Sequence, residues 1–599
     1  MVSAAIGDYA VISDCRTAAL VSRSGSIDWF CAPRYDSASL FGGLLGTDEQ
    51  GCWRLAPSDP DAAPTRRYDG DTMILVTRWE TASGIAEVHE FMPTSGGRVD
   101  IVRRIVGVSG EVEFATELRM RFDYARSIPW VRQIGDADAP ALRATAGPDT
   151  LIVRGIRLHP ADHAHRGTVA VHAGDVVDVT ATWFHSYRPD PDPLDVGEAL
   201  AATREWWTSW VAQLDHSGPH HDEVVRSLLV LRALTHEDTG GIVAAATTSL
   251  PEEFGGERNW DYRYVWLRDA ALTLEALVDH GFLRVAEHWR TWLLRAIAGD
   301  PGQMQIMYGL AGERDLAERE LKSLPGYQGA APVRVGNGAV DQYQADVIGE
   351  VLVALEAARL AGLDEDDFSW ALQRALLDRV ERTFDRPDNG IWEVRGRQRM
   401  FTQSRAMMWA AFDRGIRAAE RWGMDGPVER WKQLRARVAA EIHEHGVDPE
   451  HGFFTQYYGS HEVDASLLLL PQVGFCAPDD PRMLATVAEI ERTLMPHGIV
   501  HRYRVSTGVD GVSGGENAFI ACTFWLVEQY ACTGRHEDAA ALMARACAAA
   551  NDVGLIAEEY DPQTRQQAGN MPQALSHLAL VRAADALAGH PGRAAHRRR

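Results

Sequence analysis

Glu393 and Glu558 sit in segments that set carboxylates beside aromatic rings, "DNGIWEVRGRQ" (388–398) and "GLIAEEYDPQ" (554–563). A third segment, "NWDYRYVWLRDA" (259–270), alternates Trp260, Tyr262, Tyr264 and Trp266 with Asp261 and Arg263 and closes on Arg268-Asp269. Flat rings beside paired charges suit a sugar, which offers an apolar face and an edge of hydroxyls. Two carboxyl groups on separate segments suit cleavage of a glycosidic bond. One protonates the leaving oxygen while the other activates water or attacks directly. On this reading Glu393 is the general acid, with Trp392 as an apolar wall that disfavours its charged form. Glu558 is the general base, oriented by Tyr560 and Asp561. Arg268 and Asp269 fork onto hydroxyls at the non-reducing end, and Trp266 and Tyr262 stack on the pyranose face.

The same residues fit plainer roles. "IWEV" reads equally as an edge strand with an exposed glutamate, and Glu558-Glu559 as a solvated pair in a loop. Arg268-Asp269 could be an ion pair with no ligand, and Glu516 a carboxylate favoured by the start of a helix.

These residues need a frame, and the chain changes character near residue 215. Before it the pattern has period two. In "VEFATELRMRF", Val112, Phe114, Leu118, Met120 and Phe122 face one way and Glu113, Glu117, Arg119 and Arg121 the other. "IAEVHEF" and "TMILVTRW" read alike, so residues 1–215 are expected to form an antiparallel β-sandwich with a linker. After it the period is helical. Twelve helices are expected, starting near 222, 268, 284, 341, 366, 403, 427, 464, 481, 517, 536 and 571. Their connections alternate long and short, which puts every long one at the same end of the assembly. Long connections in a compact domain are usually functional. The architecture implied is α+β and multidomain: the sandwich, then a barrel of six helical hairpins at 216–590, then a basic tail at 591–599.

Composition narrows the partners. With 60 Lys and Arg against 84 Asp and Glu, the net charge is −24, which argues against nucleic acid or an anionic membrane surface. The first residues lead us to expect no secretion signal, and the absence of a run of about eighteen apolar residues no membrane-spanning helix. The seven cysteines are scattered without metal spacing, so reduced thiols in the cytoplasm are expected, with no metal and no cofactor.

The sequence resembles glycoside hydrolase family 15, the glucoamylases, glucodextranases and bacterial trehalases, over nearly its whole length. The stretches that carry the likeness are "YAVISDCRTAALVSRSGSIDWFCAPRYDSASLFGGLLG", "GERNWDYRYVWLRDAALTL", "GIWEVRG", "ENAFIACTFWLVEQYACTGRHEDA" and "GLIAEEYDPQTRQQAGNMPQALSHLALV". The resemblance implies a β-sandwich followed by an (α/α)6 barrel, and hydrolysis with inversion. It implies Glu393 as acid and Glu558 as base, with Glu559 where fungal members carry Gln. It carries subsite roles to Tyr262, Trp266, Arg268, Asp269 and Arg502, and makes Glu516 a polar contact or auxiliary base. Inversion needs the two carboxyl groups about 6.5–9.5 Å apart. The expected substrate is a small α-gluco-oligosaccharide of maltose or isomaltose type, with trehalose as the alternative. A disaccharide phosphorylase and a non-catalytic glucan-binding protein are the readings from other classes.

Overall fold

The structure is a computed structural model that describes residues 3–136, 139–214, 218–297 and 301–589. The expected domain boundary at 215/216, the barrel's last residue and the tail 591–599 lie outside the described residues.

The sheet domain is organised by one strand of 21 residues, Val99–Arg119. Its first half pairs antiparallel with Gly84–Phe91 and Val176–His185, its second half with Cys52–Pro57 and Ala164–His172. It passes from one sheet to the other at Gly110, whose φ of +63° is the left-handed turn that glycine adopts without strain. Its inward residues alternate as expected: Ile105, Val112 and Phe114 pack against Leu55, Trp79 and Val88 between the two layers. The remaining inner face, with Leu20, Trp29 and Leu118, belongs to the same hydrophobic cluster as the helices that follow.

A four-residue turn, α1 (Phe122–Ala125), has left-handed backbone at Asp123 and Tyr124. A helix not expected from the sequence follows, α2 (Val196–Val211), capped by Asp195 accepting from the Glu198 amide. It lays Val196, Ala199 and Leu200 on Ile74, Phe91 and Val102 of the sheet, and Trp210 stacks on Phe282 at 3.9 Å.

The helical domain then builds in pairs. These are α3 (His221–Ala233) and α4 (Leu267–Asp279), α5 (Leu283–Ile297) and α6 (Val347–Leu360), α7 (Asp367–Arg382) and α8 (Thr402–Trp422). Next come α9 (Val428–His445) and a 3-10 turn at Ala465–Leu469, α10 (Pro481–Leu494) and α11 (Ile520–Cys532), α12 (His536–Cys547) and α13 (Ala574–Leu587). The helix expected from 464 is only that 3-10 turn. The helices expected from 341, 517 and 571 begin at 347, 520 and 574.

The second member of each pair is inside. α4, α6, α8, the 3-10 turn, α11 and α13 touch in sequence and close into a ring, with α13 against α4. α4, α6, α11 and α13 are buried almost all round, whereas α5, α7, α9 and α10 bury one stripe. Every long connection runs from an outer helix to the N-terminal end of an inner element. One mouth of the ring therefore collects all six, at helix ends whose dipoles favour carboxylates. Among the described residues no helix is long and apolar enough to cross a membrane.

Candidate active site

The segment 259–270 answers for its own composition. It runs through two short strands into α4, and its side chains alternate front and back. At the back, Arg263 is fully buried and forks onto Asp261 through Nε and Nη2 at 2.9 and 2.8 Å. It also donates to the Ser37 carbonyl at 2.9 Å and to the Tyr124 hydroxyl at 3.0 Å, and lies over the Trp29 ring. The paired charges thus bolt the segment to the sheet domain. A buried pair with this many satisfied donors is costly to break from one side.

The front faces an open-mouthed cavity whose wall carries Trp260, Tyr262, Trp266, Arg268, Asp269 and Glu393. Tyr262 donates its hydroxyl to Glu558 Oε1 at 2.7 Å, and Trp266 donates its indole N–H to Glu393 Oε1 at 2.7 Å. The two rings meet edge-on, centroids 5.3 Å apart. Arg268, in the first turn of α4, donates to Glu393 Oε1 at 3.1 Å, to Asp346 at 3.0 Å and to Gln344 at 2.8 Å. Asp269 beside it is pushed up to about 6, chiefly by burial and against the pull of Arg268.

Glu393 is on a turn, not the edge strand that "IWEV" also allowed. Its φ of +58° is left-handed, a strained conformation for a residue with a Cβ. The turn is fixed by the Glu393 amide donating to Gly390 O at 3.2 Å and by Gln342 Nε2 donating to Glu393 O at 2.9 Å. The apolar wall expected from Trp392 is not what meets the carboxylate. Trp392 lines the cavity with its ring among Tyr503, Phe519 and Trp525, while Glu393 receives an indole N–H and a guanidinium.

Glu558 and Glu559 are both fully buried, which removes the solvated-pair reading. Glu558 does not line the cavity itself: it sits behind Tyr262, a lining residue whose hydroxyl donates to it, and its Oε2 accepts from the Asn570 amide at 3.3 Å. Its carboxyl is pushed up to about 8 by burial first and by the charge of Glu252 second, with Arg502 and the Tyr262 hydrogen bond pulling the other way. Glu559 turns aside. It accepts from the Asn517 amide at 2.9 Å and approaches Arg502 at 3.5 Å.

Arg502 reaches the cavity wall and holds Glu252 at 3.0 Å and Glu516 at 2.8 Å. Oxygens of Glu252, Glu516 and Glu559 lie close enough together to hold a cation, but the positive charge among them comes from Arg502 and from Arg258, 3.4 Å from Glu516. The other trio among the described residues with such spacing is His220, Glu223 and Cys547, on the outer surface.

Of the expected site residues, Tyr262, Trp266, Arg268, Asp269, Trp392, Glu393 and Arg502 line the cavity. Glu516 does not; its carboxylate is taken up by two arginines. Tyr560 does not either; it is half-buried on the short strand Glu559–Asp561. Asp561 bonds Thr564 at 2.6 Å, so Tyr262 and Asn570, rather than Tyr560 and Asp561, orient Glu558. The sequence reading missed Glu252, Asp346 and Arg395. Arg395 stood two residues from Glu393 in a quoted segment and Asp346 closes the segment 336–346 at the end of the second long connection, whereas nothing local marks Glu252.

The family model described as "Glycosyl hydrolases family 15" matches residues 218–585, and the one described as "Trehalase-like, N-terminal" matches residues 2–180. Trehalase of Mycobacterium tuberculosis is 36% identical, the match covering 96% of this chain and 89% of that protein. Trehalase of Thermoplasma acidophilum is 34% identical, covering 95% and 98%. The crystal structure of a bacterial glucoamylase complexed with acarbose superposes with a TM-score of 0.74 at 13% identity, covering 98% of this chain and 94% of that one. That likeness is one of fold: an antiparallel sheet domain followed by an (α/α)6 barrel.

Proposed function

Since the chain belongs to glycosyl hydrolase family 15 and is a glycoside hydrolase, we propose that it hydrolyses α,α-trehalose to two glucose molecules with inversion at the attacked carbon. This reverses the order expected from the sequence, where small α-gluco-oligosaccharides came first. The relatives that match this chain end to end at 34–36% identity are trehalases.

The observation that carries the mechanism is the Tyr262–Trp266 pair, which gives one carboxylate to each ring's polar end. Glu393 protonates the glycosidic oxygen as the bond to the anomeric carbon breaks. Glu558 takes a proton from a water, whose oxygen adds to that carbon from the opposite face. Both Glu558 oxygens already accept hydrogen bonds, so the water binds at a second lone pair of Oε1 or displaces the Tyr262 hydroxyl. Arg268 and Asp269, both buried in the cavity wall, bind hydroxyls of the glucose that is attacked, and Arg502 braces the base side.

Glucose release from trehalose, maltose, isomaltose and maltotriose, with and without phosphate, tests the substrate. Trehalose should be cleaved with the highest kcat/KM and without added phosphate. Faster turnover of maltose or isomaltose would restore the oligosaccharide reading, and a strict phosphate requirement with sugar phosphate as product would replace hydrolysis by phosphorolysis.

A further inference from the structure

The mouth-side wall of the cavity carries a cationic clasp that the mechanism above does not use. Trp260 and Arg395 both line the cavity, and the Arg395 guanidinium lies 4.0 Å from the Trp260 ring centroid. Glu318 holds Arg395 Nη2 at 2.6 Å, approaches Arg334 Nε at 3.4 Å and accepts from the Gly338 amide at 3.0 Å. Arg334 in turn lies 4.5 Å from the same ring. Trp260 is fixed at its far end, its indole N–H donating to Glu252 Oε1 at 3.1 Å.

Position decides what this clasp can do. Arg268 and Asp269 are buried to 5% and 8% exposure, and Arg268 reaches Glu393. Arg395 lies two residues beyond Glu393, with its side chain 34% exposed. A sugar whose attacked ring sits on Arg268 and Asp269 must leave past Glu393 toward Arg395 and Trp260. A guanidinium has five N–H donors in a fixed fork. Two nitrogens meet Glu318, at 3.2 and 2.6 Å, which leaves donors for hydroxyls.

The mouth loop that aims Arg395 is itself held from outside the ring. Glu318 rides on the connection between α5 and α6, which is pinned to the sheet domain. Arg34 donates to Glu313 at 2.9 Å, the Gly326 amide to Leu45 O at 2.9 Å and the Tyr327 hydroxyl to Ala4 O at 3.1 Å.

We propose that Arg395, backed by Trp260 and aimed by Glu318, binds the hydroxyls of the leaving glucose and so selects the acceptor side of the substrate. This rests on the disaccharide hydrolysis argued above. Arg395 is then a specificity-determining residue and Glu318 a positioning residue on a mouth loop pinned to the sheet domain.

The test compares a disaccharide with α-glucosyl fluoride, which presents the same ring to be attacked but no leaving sugar. For Arg395→Ala, kcat/KM on trehalose should fall about 10- to 100-fold more than on the fluoride, mostly through KM. Arg395→Lys, which keeps the charge but loses the fork, should recover part of that difference and serves if the alanine variant folds poorly. Glu318→Gln should move the ratio the same way by less. Equal losses on both substrates, or no loss on either, would overturn the proposal. If the wild-type enzyme ignores trehalose but cleaves maltose, the trehalose reading falls, and the maltose-to-fluoride ratio decides the clasp by the same criterion.

Discussion

Tyr262 and Trp266 meet edge-on at 5.3 Å, and each gives its polar end to a different carboxylate, Glu558 and Glu393, across 2.7 Å. A four-residue step of one segment thus sets the relation between two glutamates that lie far apart in the chain. The geometry makes both rings hydrogen-bond donors to the proposed catalytic pair, whatever stacking they also provide.

Removing either carboxyl should stop the chemistry without undoing the fold. Glu393→Gln and Glu558→Gln are each expected to lower kcat by about 10²- to 10⁴-fold. Glucose release measures the loss, and near-ultraviolet circular dichroism checks that the packing survives. A variant that turns over at the wild-type rate loses its assigned role.

The two ring donors should be separable by pH. The Tyr262 hydrogen bond pulls the Glu558 carboxyl down, so Tyr262→Phe lets burial push it further above about 8. A base must be ionised to act, so the ascending limb of kcat/KM against pH should move to higher pH in Tyr262→Phe. Trp266→Phe acts on the acid instead and should leave that limb in place. Identical profiles for all three enzymes would separate Tyr262 from the base.

Stability should carry the same signature. The Glu558 carboxyl lies at about 8 in the fold against an ordinary 4.5. Between those values the folded chain holds a proton that the unfolded chain has released, so this group favours folding less as pH rises from about 4.5 to about 8. Glu558→Gln cannot ionise, so its Tm relative to wild type should be higher at pH 8.5 than at pH 5. The same offset at both pH values contradicts the buried, upshifted acid.

Much of this arrangement was legible in the residues, and the reasons differ from case to case. Alternation along Val99–Arg119 and the long-short rhythm of the connections survive errors of a few residues, so the sandwich and the barrel follow from them. Glu393 and Trp266 were visible because their segments are chemically dense. The helix from 464 is a 3-10 turn of five residues, because the apolar run "ASLLLL" is too short to show a helical period. Glu252 was invisible because its meaning comes from a partner far away in the chain, Arg502. Asp261 and Arg263, read at first as charges for a sugar, are instead the bolt between domains.

That bolt should be expensive to cut on one side. Arg263→Met leaves Asp261 buried without its cation and is expected to cost about 3–5 kcal/mol in denaturant unfolding. Adding Asp261→Asn should recover a large part of the loss, because the orphaned charge goes with it. A single variant within about 0.5 kcal/mol of wild type would show that the pair contributes little there.

The central claim, one glutamate donating a proton while another activates water on the opposite face, is most directly read by proton NMR of trehalose hydrolysis in its first minutes, before mutarotation. Inversion at one of two α-linked carbons releases equal amounts of β-glucose and α-glucose, and that is the expected spectrum. Initial product consisting of α-glucose alone would contradict the account, because water would then have arrived on the face the leaving sugar vacated.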